Sequence, residues 1–232
     1  MQRLVSICTT FSGVNIIMKS LDLNFSPYAS RVRIVVRLKH LPVAFEYPQL
    51  GLKTPEFKTA FPLGKIPILE LDDGTCIPES WAIMEYLEES FPEVPLSPTN
   101  PLARAQMRVL GRCADLHLGP ALFPLFVQLK RPQRDAAAIA LQIDATRNEL
   151  AKLGRLLEEY GLPDSRSLHL GDIALVPTIY YVTAVLPLFG VEDPLATAPL
   201  VARWWSLVSD IADIAQTLKE IDDGFRGFLK QS

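Results

Sequence analysis

The chain has 232 residues, of which 49% are hydrophobic and 21% charged, and its 23 Lys+Arg against 26 Asp+Glu leave a formal net charge of -3. Such a chain can bury one large core or two smaller ones, and its balanced charge gives no electrostatic footing for nucleic acid or an acidic membrane. Cys8, Cys76 and Cys113 are odd in number and far apart, which excludes a disulfide framework and fits a reducing, cytoplasmic setting; His40, His117 and His169 form no metal-ligand pattern.

Residues 1–17 read as an extension, with Met18 a second candidate for the start; a signal peptide is disfavoured because polar residues break the apolar stretch. A first strand is predicted over 18–23. Ser26-Pro27 then pairs an N-cap with the favoured first helical residue, opening a helix that runs to about residue 39. Val32, Val35, Val36 and Leu38 face inward on this helix, and Arg31, Arg33, Arg37 and Lys39 read as a solvated face. Leu41-Pro42 ends it, a second strand covers 43–47, and a polar loop carries Lys53-Thr54-Pro55-Glu56-Phe57.

The most informative stretch follows. In Pro62-Leu63-Gly64-Lys65-Ile66-Pro67 a tight turn leads into a strand opened by a proline, a candidate for a cis bond that presents the amide and carbonyl of Ile66. Asp73-Gly74 predicts a hairpin to a shorter strand over 75–77. Glu79-Ser80 introduces the apolar-periodic run Trp81, Ile83, Met84, Leu87, and a serine at a helix N-terminus is a ready site for a carboxylate or phosphate. Taken by themselves, these features read equally well as a proline-rich turn and an ordinary helix cap. Strand, helix and strand followed by two strands and a helix imply a four-stranded mixed sheet.

Pro92, Pro95, Pro98 and Pro101 mark a stiff linker over 91–101, after which everything reads as helix. Ile139, Ile143, Leu150, Leu153 and Leu157 share one face of a long helix ending near Gly161. No charged residue lies between Asp172 and Glu192, a length that raises a membrane span; Pro177, Pro187, Gly190 and the amphipathic helices around it favour the central helix of a bundle.

Ser26-Pro27-Tyr28, the Pro62 to Leu69 stretch, Glu79-Ser80-Trp81-Ala82-Ile83 and Gly171-Asp172-Ile173-Ala174-Leu175-Val176-Pro177 resemble, in order and spacing, the cytosolic glutathione transferases of the serine type. The resemblance covers about residues 18–225. It implies an α/β plus all-α fold: a thioredoxin-like four-stranded mixed sheet domain over 18–90, the linker over 91–101, and a helical bundle over 102–232. It also implies a homodimeric, cytoplasmic detoxification enzyme that joins glutathione to a hydrophobic electrophile, without metal, nucleic acid or membrane. One departure is His169, where the family places the Ser or Thr of a capping box, together with Gly171 before Asp172; His169 can cap through a ring nitrogen.

The resemblance gives each residue a role. Ser26 would be catalytic, its hydroxyl and the helix N-terminus favouring the glutathione thiolate, a group that otherwise titrates near ~8.5; the same serine also reads as a plain N-cap. Ser80 would hold the γ-glutamyl carboxylate, Glu79 the ammonium, and Ile66 with Pro67 the cysteinyl backbone. Lys53 and Lys65 would meet the glycyl carboxylate, or be surface lysines. Tyr28, Arg112 and His117 are expected near the electrophile, although His117 reads more simply as an ordinary core or surface histidine. Two rivals share the fold. Arg31-Val32-Arg33-Ile34 is similar to the helix of zeta-type enzymes that isomerise maleylacetoacetate, but Phe25-Ser26-Pro27 replaces their Ser-Ser-Cys motif; related lyase or dehalogenase chemistry falls in the same group. The other is a non-catalytic binding protein, disfavoured by the retained Ser26, Lys53, Glu79 and Ser80.

Overall fold

The computed structural model describes residues 18–230; the predicted extension over 1–17 and Cys8 lie outside them. Four short strands, β1 (Met18–Leu21), β2 (Val43–Glu46), β3 (Ile68–Glu70) and β4 (Cys76–Pro78), form one sheet in the order β2-β1-β3-β4. β1 runs parallel to β2 and antiparallel to β3, which runs antiparallel to β4, giving the mixed sheet expected. The apolar side chains Met18, Leu21, Ile68 and Leu69 of the two central strands are buried, while β2 is an exposed edge.

Helix α1 (Pro27–Leu38) starts where Ser26 Oγ accepts from Ala29 N–H at 3.2 Å. The region read as a polar loop contains a further helix, α2 (Pro55–Ala60). Thr54-Pro55 is the same cap-and-proline device as Ser26-Pro27, with Thr54 Oγ1 accepting from Phe57 N–H at 3.1 Å and Phe57 fully buried beneath it. α3 (Ser80–Ser90) closes the first half, and ten irregular residues separate it from α4 (Pro101–Cys113), which Asn100 caps.

A π-helical turn (Ala114–Leu118) leads from α4 into α5 (Gly119–Leu122), α6 (Pro124–Leu129) and the long α7 (Ala136–Tyr160), whose Ile143, Leu150, Leu153 and Leu157 are buried as the periodicity predicts. The uncharged stretch is α8 (Leu170–Val185) and a 3₁₀ turn (Leu186–Phe189), long and apolar enough to cross a membrane by composition. Fourteen of the sixteen residues of α8 are buried, packed among α1, α4, α9 (Pro199–Ser209) and α10 (Ala212–Lys230), so the helix is the hub of the bundle. Gly171 lies where α8 meets α4: a Cβ there would stand 2.2 Å from the carbonyl oxygen of Met107.

The basic residues of α1 are not a solvated face. Arg31, Arg33 and Lys39 are 1%, 2% and 4% exposed, because α1 lies between the sheet and the helical bundle. Arg31 Nη1 pairs with Asp115 Oδ1 at 2.6 Å, and Arg33 and Arg37 grip the two oxygens of Glu220 at 2.9 and 2.6 Å. Lys39 Nζ meets Glu88 at 2.6 Å and donates to the carbonyls of Phe91 and Val94, anchoring the proline-rich linker. A buried cation needs a carboxylate, and each partner comes from a segment remote in sequence.

The departure at His169 is accommodated. Its Nδ1 accepts from Asp172 N–H at 3.3 Å while Asp172 Oδ2 accepts from His169 N–H at 3.1 Å, a capping box built with an imidazole. Asp172 is fully buried and also accepts two hydrogen bonds from Arg166 and one from Trp204 Nε1. Burial alone would raise its pKa, but the Arg166 and His169 hydrogen bonds outweigh it and hold the carboxyl well below its usual 3.8. A depressed folded pKa stabilises the fold above the unfolded value and loses that contribution as the pH falls below it. Asp172→Asn should therefore cost roughly 3–5 kcal/mol at pH 7 and flatten the loss of stability below about pH 4, as read by urea unfolding at several pH values. An Asn variant as stable as wild type at pH 7 would contradict this account.

Candidate functional site

Three backbone devices converge at the carboxyl end of β1 and the start of β3. The first is the α1 N-terminus, where the oxygen of half-buried Ser26 caps the helix and, among the described residues, nothing accepts its hydroxyl proton. The second is the turn before β3: Gly64, at φ 59°, closes on the Phe61 carbonyl at 2.8 Å, and the Ile66-Pro67 bond is cis as expected. Among the described residues no group hydrogen-bonds to the Ile66 amide or carbonyl, so both are available to an extended ligand. The third is the start of α3. Glu79 holds the left-handed φ of 71°, disfavoured for a residue with a Cβ, and makes no side-chain cap, which leaves the first α3 amides open beside Ser80.

Two cavities meet here. One, of about 410 Å³, is lined on the sheet side by Lys65, Ile66, Pro67, Glu79 and Ser80, and on the helical side by Arg112, Asp115 and Leu116. The other, of about 340 Å³, is lined by Ser26 and by the rings of Phe25, Phe123, Phe126, Tyr181 and Phe228. Tyr28 and Ile66 line both, so the polar and the apolar cavity share a wall beside Ser26. Burial, against the opposing pull of Arg31, raises the Tyr28 pKa, so this phenol stays protonated. Its ring lies under the Arg31 guanidinium at 4.9 Å and edge-on to Phe123.

The structure brings Ser26, Tyr28, Lys65, Ile66, Pro67, Glu79, Ser80 and Arg112 to these two cavities. Two expected residues do not join them. Lys53 is exposed and lines neither, although its neighbour Leu52 borders the apolar one. His117 lines a separate groove between α4 and α7, its Nδ1 3.6 Å from Glu149. All three lie in the π-helical turn, which has more residues per turn than an α-helix; Asp115 and Leu116 line the polar cavity and His117 the other groove.

The sequence of residues 21–95 matches the family model described as glutathione S-transferase, N-terminal domain. A probable glutathione S-transferase of Oryza sativa subsp. japonica is 29% identical over 195 residues, 81% of this chain and 82% of that one. The crystal structure of a glutathione S-transferase from Methylobacillus flagellatus with glutathione bound superimposes with a TM-score of 0.73 at 29% identity, over 86% of this chain and 98% of that one.

Residues 21–95 match the glutathione S-transferase N-terminal domain, and most of the chain is similar to glutathione S-transferases in sequence and fold. A probable maleylacetoacetate isomerase of Caenorhabditis elegans is 43% identical, but over 85 residues only, 35% of this chain and 38% of that one.

Three contributors to this site have no signature in the sequence. Arg31 and Asp115 pass for surface charges until the fold pairs them. The aromatic wall draws on α6, α8 and α10, and only the i, i+3 spacing of Phe123 and Phe126 hints at a shared face. Neither described cysteine lines the two cavities: Cys113 is buried, its thiol pushed up to about 11 by burial and by Glu149, and Cys76 is exposed on β4. At pH 8, iodoacetamide should modify Cys76 and leave Cys113 intact in the folded protein, as mapped by mass spectrometry. Equal labelling of the two would show that the α4 packing opens.

Proposed function

We propose that this chain is a serine-type glutathione transferase that binds glutathione along the polar cavity and delivers its thiolate to an uncharged electrophile in the apolar one. The observation that carries this reading is the wall the two cavities share beside Ser26 at the α1 N-terminus. Ligand charge matches site chemistry along the cavity. Ser80 and the open α3 amides suit the γ-glutamyl carboxylate, Glu79 the ammonium, the free Ile66 amide and carbonyl the cysteinyl backbone, and Lys65 the glycyl carboxylate. Ser26 Oγ–H would then donate to sulfur while the helix dipole favours the thiolate; the thiol proton leaves to solvent, and a sulfur–carbon bond forms as the electrophile releases a leaving group with its electron pair or, in an addition, as its π bond breaks and takes up a proton from solvent. Lys53 stands outside the cavity wall and in this reading contributes at most long-range charge.

A second reading, glutathione-dependent isomerisation, is favoured by the 43% identity to the probable maleylacetoacetate isomerase and by Arg112 at the cavity edge. The apolar wall opposes it, since a dicarboxylate substrate would meet no cation among Phe25, Phe123, Phe126, Tyr181 and Phe228. The reading also carries the expected homodimer and a cytoplasmic detoxification role, the former supported by exposed Leu102 and Val109 on α4.

Titration of bound glutathione by ultraviolet difference absorbance tests the mechanism. Wild type should hold the thiol pKa well below its free value, and Ser26→Ala should bind glutathione within a few-fold while restoring it. Loss of the cap should also cost about 1 kcal/mol of stability. Binding without a lowered thiol pKa would reduce Ser26 to a cap, and absence of binding would remove the site assignment.

A further inference from the structure

The loop that carries Ser26 is held by side-chain polar groups that the transferase reading does not use. Its three consecutive carbonyls each accept a hydrogen bond from a buried side chain. Asn24 O accepts from Arg33 Nη2, Phe25 O from the Tyr181 hydroxyl, and Ser26 O from Ser30 Oγ at 2.7 Å. Arg33 Nη2 also donates to Ser30 Oγ at 2.9 Å, which joins the first and third bonds into one chain. Arg33, Ser30 and Tyr181 are 2%, 0% and 1% exposed, so the donors themselves are shielded from water.

The holders belong to different parts of the fold. Tyr181 sits on α8, and Arg33 is itself held by Glu220 of α10 at 2.9 Å and faces Asp22 at 3.1 Å. α10 also presses directly on the loop at Gly224, where an added Cβ would stand 3.1 Å from Phe25 Cβ and 3.3 Å from Asn24 Cβ. Burial keeps the Tyr181 phenol protonated far above neutral pH, against the opposing pull of Arg33, so its hydroxyl donates throughout the working range.

We propose that Tyr181 and the Arg33–Ser30 pair are positioning residues, by which the helical bundle sets where the Ser26 hydroxyl stands relative to a thiolate bound on the sheet side. This rests on the transferase reading of Ser26. A hydroxyl that stabilises a thiolate must lie within hydrogen-bond reach of the sulfur, and its backbone is fixed here from three directions at once. Releasing the Phe25 carbonyl frees the residue that precedes Ser26, while Glu79, Ser80 and Ile66 stay where they are on the sheet side.

The test is the thiol titration with steady-state kinetics in wild type, Ser26→Ala, Tyr181→Phe, Ser30→Ala and Tyr180→Phe. Tyr181→Phe keeps the ring in the aromatic wall and removes only the donor; Ser30→Ala reaches the same loop from α1 should the first variant fold poorly. Tyr180, whose hydroxyl donates to Asp222 at 2.9 Å, is the control for loss of a neighbouring phenol. In Tyr181→Phe and Ser30→Ala the bound thiol pKa should rise by about one pH unit. Turnover should fall about tenfold, with the glutathione KM within about twofold of wild type. Tyr180→Phe should titrate like wild type. If Ser26→Ala raises the thiol pKa and the two loop variants do not, the positioning role is overturned and the transferase reading stands. If Tyr180→Phe raises it equally, the effect is general loosening and the positioning role is again overturned. If Ser26→Ala itself leaves the pKa unchanged, the transferase reading fails and this proposal with it.

Discussion

Burial of the α1 cations is the constraint on which the arrangement of this molecule depends. Arg31, Arg33 and Lys39 lie where the sheet and the helical bundle meet, each desolvated and each paired with a carboxylate from elsewhere in the chain. Such pairs add little net stability, because desolvation offsets most of the attraction. What they impose is register. A bundle displaced by one helical turn would take Asp115 from Arg31 and Glu220 from Arg33 and Arg37, so the two halves are held in one relative position.

That position fixes the site. Arg31 fastens the turn after α4, which brings Asp115 and Leu116 to the polar cavity and the Arg31 guanidinium over Tyr28. Arg33 and Arg37 fasten α10, which covers the loop before Ser26 and contributes Phe228 to the apolar cavity. Lys39 ties down the linker between α3 and α4. Polar groups that suit a charged tripeptide come mainly from the sheet half, and the apolar wall comes mainly from the helical half. Any reaction between two such ligands takes place across the same junction that the ion pairs hold.

The division has a counterpart in the comparisons. The family model covers residues 21–95, the half that supplies the polar cavity, whereas whole-chain relatives and structures remain below a third in identity. Recognition of one invariant ligand needs specific polar groups at fixed places, while an apolar wall can be rebuilt from many side chains.

Local chemistry made much of this legible in the amino-acid sequence. Ser26-Pro27, Asp73-Gly74, Ile66-Pro67 and the apolar run after Glu79-Ser80 each act over a few residues, and each forms the cap, hairpin, cis bond or helix expected. Thr54-Pro55 carries the same cap signal, masked by the shortness of α2 and its polar surroundings. Other features had no local signature. Arg31 and Arg33 look like surface residues because the carboxylates that neutralise them lie 84 and 187 positions further along the chain. The groove that His117 lines lies between α4 and α7, and the aromatic wall comes from three helices that meet only after folding. Caps, turns and periodicities were decided by neighbours in sequence; burial of charge, the facing of side chains and the shape of the apolar cavity were decided by packing between distant segments, which only the tertiary structure contains.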